Sequence, residues 1–301
     1  MDEKEVLSTL VKEWISEKRS QRRWRIFRWF LLISVVVLIF FASNTTENNF
    51  AESAPHIALI NLEGEIKNEQ SASSQNLIES FQKAFENKAV RGIILKINSP
   101  GGSPVQAGAV FDEMMRLKKN NPQKPIYAVI EDVGASGAYY IAAAADEIYV
   151  HPSSLVGSIG VIMNQFGLDK VIEKLGIEQR TITAGKNKAF LDPFSPLDLA
   201  QKTHAQQLVN RVHGHFIQAV KTGRGKRLKE NDEIFSGLVW TGEDAIALGL
   251  ADKIGQVNVV QREVLDNLPL RDYSVKSDLS ERVLKQLGVQ MRLLLREQMF
   301  F

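Results

Sequence analysis

Two apolar segments of this chain, GIILKIN from Gly92 and PIYAVIE from Pro125, each end abruptly in a turn of small residues. The first runs into SPGGS at residues 99–103 and the second into GASG at residues 134–137, and each turn leads into a new apolar segment. Short apolar runs bounded by turn residues read as strands, and apolar positions three to four apart, such as Val110, Phe111, Met114 and Leu117, read as a helix. The order starts earlier, with HIALINLEG from His56 and a helix in which Leu77, Ile78, Phe81 and Phe85 share one face. It continues with EIYVHP, SSLVGSIGV and the helix of DKVIEKLG. Repeated strand, turn and helix predict an α/β domain with largely parallel strands. Ligands of such sheets sit where strand ends meet helix starts, and SPGGS and GASG occupy that position on consecutive units.

The second turn carries a serine. In DVGASGAYYIAAAA, from Asp132, Ser136 stands at the head of an alanine-rich run. Serine is among the best helix N-caps, so a cap competes with a nucleophile as the reason for its presence. Acyl transfer to a serine needs a nucleophile, a base and donors aimed at the developing oxyanion. Glycines 101 and 102 let backbone amides approach a substrate closely, and the amide after a nucleophile at a strand-to-helix turn, here that of Gly137, is a common second donor. Two adjacent turns can then form an oxyanion hole with Ser136 between them. GASGA departs from the G-x-S-x-G elbow at Ala138, which counts against a histidine triad.

No histidine stands in a catalytic pattern. His151 precedes Pro152 at a strand end, and His204, His213 and His215 fall on a helix predicted over 198–221. His213 and His215 are two apart, on different sides of that helix, so they do not form an i, i+4 metal pair. There is no cysteine, which removes thiol catalysis, disulfides and thiolate metal sites. A lysine can act as base if burial or nearby positive charge favours its neutral form. Lys186 and Lys188, in the loop TAGKNKAFLDPFSP after an expected strand EQRTIT, are the candidates.

The chain's 37 basic and 35 acidic residues leave a net charge of +2, so no global field argues for nucleic acid. The charge that matters is local. Lys18, Arg19, Arg22, Arg23, Arg25 and Arg28 cluster before and at the start of IFRWFLLISVVVLIFFAS, residues 26–43, whereas NTTENNFAESA after it has no basic residue. The run is long enough to span a bilayer, Trp24 and Trp29 suit its interface, and the positive-inside rule puts the N-terminus in the cytoplasm. The expected organisation is therefore a basic cytoplasmic segment over 1–25, a signal anchor over 26–43, a linker over 44–55, and a catalytic domain over 56–275 on the extracytoplasmic or periplasmic side. Residues 276–301 read as an amphipathic helix, with Val283, Leu284, Leu287, Met291, Leu294 and Leu295 on one stripe. Docking on the body or on a neighbouring protomer competes there with membrane contact.

SPGGS, DVGASGAYYIAAAADEIYVHPSSLVGSIGV, TAGKNKAFLDPFSP and GLVWTGEDAIALGLADKIG, in that order, resemble the signal peptide peptidase A family, serine-lysine peptidases of the ClpP/crotonase superfamily. The resemblance implies a ClpP/crotonase-like fold and a bacterial inner-membrane protein. By motif it implies Ser136 as nucleophile, Lys188 as general base, Ser158 as the residue orienting the lysine, and Gly102 with the Gly137 amide as oxyanion hole. A single set of motifs resembles the short form of the family, which implies a homo-oligomer with serine and lysine meeting across a subunit boundary. Its substrates would be extended apolar peptides such as remnant signal peptides. No cofactor is implied, and no P-loop G-x-x-x-x-G-K-[ST] occurs. Asp192-Pro193-Phe194, and Leu238 in place of an arginine, depart from the family pattern. A crotonase-type acyl-CoA enzyme and a non-catalytic membrane scaffold are the competing functions.

Overall fold

The computed structural model describes residues 24, 27–31, 34, 54–68, 72–229 and 231–275. The chain divides into two units, Met1–Ala54 and Pro55–Phe301. In the first, residues 24, 27–31 and 34 are helical and exposed, and the Arg28 guanidinium lies 5.5 Å from the centre of the Trp24 ring. Among the described residues no helix is long and apolar enough to cross a membrane. Most of the expected anchor over 26–43, nearly all of the segment over 1–25, most of the linker over 44–55, and the tail over 276–301 lie outside the described residues.

The second unit is a mixed α/β domain. Its strands are β1 (His56–Glu63), β2 (Val90–Ser99), β3 (Ile126–Ala135), β4 (Glu147–Val150), β5 (Leu155–Gly157), β6 (Val239–Thr241), β7 (Lys253–Ile254) and β8 (Leu270–Asp272). They form a sheet of order β6-β5-β3-β2-β1-β8, with β4 and β7 branching from β3. All pairs are parallel except β5 with β6. β3 changes partner along its length: residues 127–130 pair with β4, and Val133, Gly134 and Ala135 pair with β5. That fork carries the chain end of β3 away from β4 and sets Ala135 opposite Gly157.

Both faces of the sheet are covered, which is why GIILKIN is nearly continuous in apolar residues instead of alternating. Ile93, Leu95 and Ile97 pack on one face with Phe81, Val110, Phe111 and Met114. These come from α1 (Ser74–Glu86) and α2 (Pro104–Asn120). Ile94 faces the other way, with Ile57, Val129, Tyr149 and Val260, the last from α7 (Val257–Glu263). Truncating a fully buried residue such as Leu95 to alanine would cost about 2–5 kcal/mol.

Most polar groups within this core are matched; among the described residues the exception is the buried Trp240 Nε1, which has no hydrogen-bond partner. The buried Lys124 ammonium donates to the carbonyls of Ala84, Phe85 and Asn87, closing the C-terminal end of α1. Burial, with the nearby charge of Arg91, lowers its pKa. Arg224, in α5 (Leu199–Arg224), is 1% exposed and donates two 2.8 Å hydrogen bonds to the Asp252 carboxylate. Arg224 Nε donates to the Gly249 carbonyl, and Asp252 accepts from the Ile148 amide at 2.7 Å. This clamp joins α5 to β4 and to the turn after α6 (Gly242–Ala247). Burial pushes the Asp252 carboxyl up, but the Arg224 bonds and charge, with the Ile148 amide, outweigh it and hold the group below the usual carboxylate range.

One expected element is absent. EQRTIT, residues 178–183, has no strand structure and is exposed along its whole length. An isolated extended segment has no ladder partner for its amides and carbonyls, so β-rich composition alone does not make a strand. The alanine-rich helix is also shorter than its composition suggests: α3 covers only Gly137–Ala142, and the fully buried Ala143, Ala144 and Ala145 form a turn into β4.

Candidate active site

The SPGGS turn is held from both sides. Ser99, buried at the end of β2, donates its hydroxyl to the Gly64 carbonyl and accepts from the Gly101 amide at 3.2 Å. Ile66 pairs with Gly102 in an isolated parallel bridge, its amide donating to Gly101 O and its carbonyl accepting from the Ser103 amide, each at 2.8 Å. Ser103 then caps α2, accepting from the Gln106 amide, and Pro104 follows where no amide is needed. Gly102 has φ of 150°, and a methyl there would stand 2.3 Å from Ile66 O. Only glycine fits.

This turn meets the GASG turn directly. A methyl on Gly101 would stand 2.6 Å from the Gly137 nitrogen, and one on Gly137 would stand 3.2 Å from the Gly102 nitrogen. The Gly102 and Gly137 amides are thus neighbours, and neither donates a hydrogen bond among the described residues. Two unused donors side by side, one at the head of a helix, can stabilise a negatively charged oxygen.

Ser136 lies between them in the chain path, half-buried, with φ of 52° and ψ of −125°. A capping serine takes extended backbone angles and accepts from an amide two or three residues on. Ser136 does neither: it occupies the cap position of α3, but its hydroxyl makes no cap bond. The positive φ of a non-glycine residue costs about 1–3 kcal/mol and persists only where surroundings impose it. Here the Ser136 amide donates to Gly157 O at 2.8 Å, and the Ser136 carbonyl accepts from the Tyr140 amide at 2.9 Å. Strain is spent on a turn that leaves the hydroxyl without a hydrogen-bond partner among the described residues.

Ser158 follows Gly157 immediately and is also half-buried with positive φ, 50°. Its amide donates to Leu238 O at 2.7 Å. Leu238 is one of the departures from the family pattern, yet its contribution here is a backbone carbonyl, which any residue supplies. The structure therefore brings Gly102, Ser136, Gly137 and the Ser158 segment together.

It does not bring Lys188 to them by a hydrogen bond. Lys188 is exposed, its amide donates to Gly185 O at 3.0 Å in a turn, and its ammonium has no partner among the described residues. The loop around it is ordered by Asp192, the other departure from the pattern. The Asp192 carboxylate accepts from Ser195 Oγ and Gln179 Nε2, each at 2.7 Å, and these bonds lower its pKa. Ile66 was not a candidate from the sequence. It acts through its backbone, and no side-chain pattern announces such a bridge.

The sequence profile of Peptidase family S49 matches residues 118–270. A Brucella abortus protein named Na(+)/H(+) antiporter NhaA is 39% identical over 219 residues, covering 72% of this chain and 29% of that protein. A candidate signal peptide peptidase SppA of Enterococcus faecium is 30% identical over 241 residues, covering 76% of this chain and 68% of that protein. Protease 4 of Haemophilus influenzae is 30% identical over 230 residues, covering 73% of this chain and 37% of that protein. The chain thus spans under a third of the Brucella relative and about two thirds of the Enterococcus one. The profile takes in the GASG turn, the Ser158 segment and the Lys188 loop together, and on that match the chain belongs to Peptidase family S49, a family of serine peptidases.

Proposed function

We propose that this protein is a membrane-anchored serine endopeptidase with a ClpP/crotonase-like fold, cleaving extended apolar peptides such as remnant signal peptides with a Ser136–Lys188 dyad. The observation that carries the reading is the pair of unused Gly102 and Gly137 amides beside a strained serine whose hydroxyl caps nothing. In this mechanism the neutral Lys188 amine takes the proton of Ser136 Oγ as the oxygen attacks the scissile carbonyl carbon. The two glycine amides stabilise the tetrahedral oxyanion. Collapse breaks the C–N bond, and the lysine ammonium returns its proton to the departing amine. Water, deprotonated by the same amine, then hydrolyses the acyl-serine and regenerates Ser136. Ser158 orients the lysine amine.

A lysine serves as base only as the neutral amine, a form favoured by enclosure away from water. Exposed Lys188 lacks that enclosure in the single chain, which supports a dyad completed in a homo-oligomer. Residues 161–198 support the same reading, because none is buried while Ile162, Phe166 and Ile182 are 82%, 78% and 98% exposed. Apolar surface on that scale is the usual mark of a contact with another protein. The anchor over 26–43 would hold the assembly on the extracytoplasmic face of a bacterial inner membrane, N-terminus in the cytoplasm.

Ser136→Ala and Lys188→Ala are each expected to lower peptide hydrolysis by about 10⁴-fold or more while assembly persists. Mixing the two inactive variants as unfolded chains and refolding them together should restore roughly a quarter of the sites, those pairing an intact serine with a neighbour's intact lysine. Full activity in Lys188→Ala would sink the mechanism. No recovery on mixing would put serine and lysine in the same protomer.

A further inference from the structure

Ser158 needs an external hold, since a serine at positive φ relaxes unless its neighbours prevent it. Backbone contacts supply part of that hold: Gly157 O accepts from the Ser136 amide, the Ser158 amide donates to Leu238 O, and the Gly160 amide donates to Ser158 O at 2.9 Å. Gly160 also packs so closely that a methyl on it would stand 3.0 Å from Gly237 Cα. One further tie comes from a side chain. His213, half-buried on α5, places Nε2 3.0 Å from the carbonyl oxygen of Ile159, a residue with no exposed surface. A carbonyl can only accept, so Nε2 carries the proton. Among the described residues this is the one side-chain hydrogen bond made to residues 157–160.

The bond sits at a junction. On one side of Ile159 stands Ser158; on the other, after Gly160, the chain leaves the sheet for the exposed segment that carries Lys188. We infer that His213 is a positioning residue for the peptidase reaction, fixing Ser158 through the Ile159 carbonyl and so setting the lysine amine that Ser158 orients. The inference rests on the serine-lysine reading. Without the imidazole, the Ile159 carbonyl loses its donor and residues 157–160 lose their hydrogen bond to α5, keeping only apolar packing against it. The rate of the chemical step should suffer, and peptide binding should not.

The test uses the full-length enzyme with His213→Ala, His213→Gln, Ser158→Ala and the double variant Ser158→Ala/His213→Ala. His213→Ala should lower kcat roughly tenfold, the weight of one such hydrogen bond, with KM unchanged. His213→Gln, whose amide donates from a similar position, should restore most of the loss. The double variant should be no slower than Ser158→Ala alone, because His213 acts through Ser158. Wild-type kcat in His213→Ala, failure of glutamine to rescue an assembled enzyme, or fully additive losses would each overturn the inference. Should His213→Ala fail to fold, the tautomer in the intact protein decides: ¹⁵N spectra must show the proton on Nε2, and a proton on Nδ1 alone refutes the bond. Full activity in Ser136→Ala or Lys188→Ala removes the serine-lysine reading and this inference with it. A silent His213→Ala in an enzyme that both of those substitutions inactivate removes this inference alone.

Discussion

The sheet domain and the segment 161–198 solve opposite problems with similar residues. In the domain, Ile57, Ile94, Val129 and Tyr149 are buried, and even Lys124 and Arg224 find partners for their charge. In the segment, Ile162, Phe166, Val171, Leu175 and Ile182 are all exposed, and no residue is buried. Hydrophobicity does not separate the two; neighbours do. Strands β1 to β5 give one another ladder partners and two covered faces, while the segment has six helical residues in α4 (Asp169–Lys174) and little to pack on. Ser136 and the two glycine amides belong to the first region and are preorganised by a single chain. Lys188 belongs to the second and is not.

This contrast can be broken from the domain side first. Asp252→Ala leaves Arg224 buried without its carboxylate, which should cost about 3–5 kcal/mol and show as a fall in the thermal unfolding midpoint. The same clamp has a pH signature. Because the Asp252 carboxyl is held below its unfolded value of about 3.9, its contribution to stability is complete above that pH and is lost as pH falls through the lower folded value. Acid unfolding of Asp252→Ala should lack this component.

A next, slightly smaller effect sharpens the contrast at the site. A methyl on Gly137 meets the Gly102 nitrogen at 3.2 Å and the Ala107 side chain at 3.4 Å, so a shift of a few tenths of an ångström in the SPGGS turn would accommodate it. Gly137→Ala should therefore lower kcat by about 10²–10³-fold by obstructing the amide pair, with stability and assembly retained. Steady-state kinetics beside a melting curve checks both halves.

The smallest effect is expected on the segment. Phe166→Asp with Ile182→Asp places two charges on residues that are 78% and 98% exposed, so the domain should unfold at an unchanged temperature. If the segment is covered by another copy, self-association weakens roughly 10–100-fold and activity falls with it, as light scattering and dilution assays would show. Unchanged assembly would mean that these side chains face solvent in the working protein.

Much of the domain is legible along the chain because its determinants are local. The helical spacing of Leu77, Phe81 and Phe85 and the strand run GIILKIN before SPGGS each occupy a dozen residues or fewer, and each element forms where the pattern puts it. EQRTIT shows the limit: it has the β-branched residues of a strand and lacks a neighbour to pair with. Ser136 shows another. Its residue type fits a helix cap as well as a nucleophile, and the sequence leaves that choice open; its backbone angles and uncapped hydroxyl remove the cap. Lys188 stands out from Lys186 only by resemblance to a family pattern, since two exposed lysines in one loop look alike to any local rule.

The sequence by itself determined the order of strands and helices from β1 to β5, the two small-residue turns and the family, because periodicity, turn chemistry and motif order are written within short stretches of chain. Only the tertiary structure decided that the turns at residues 99–103 and 134–137 touch, that Ile66 pins Gly102, that Gly157 holds Ser136 at positive φ, and that His213 reaches the Ile159 carbonyl. These contacts join residues 21 to 54 positions apart, or more than 30 in the case of the two turns. Backbone carbonyls and amides make most of them. Every residue has those groups, so nothing in the identity of a side chain says which will meet.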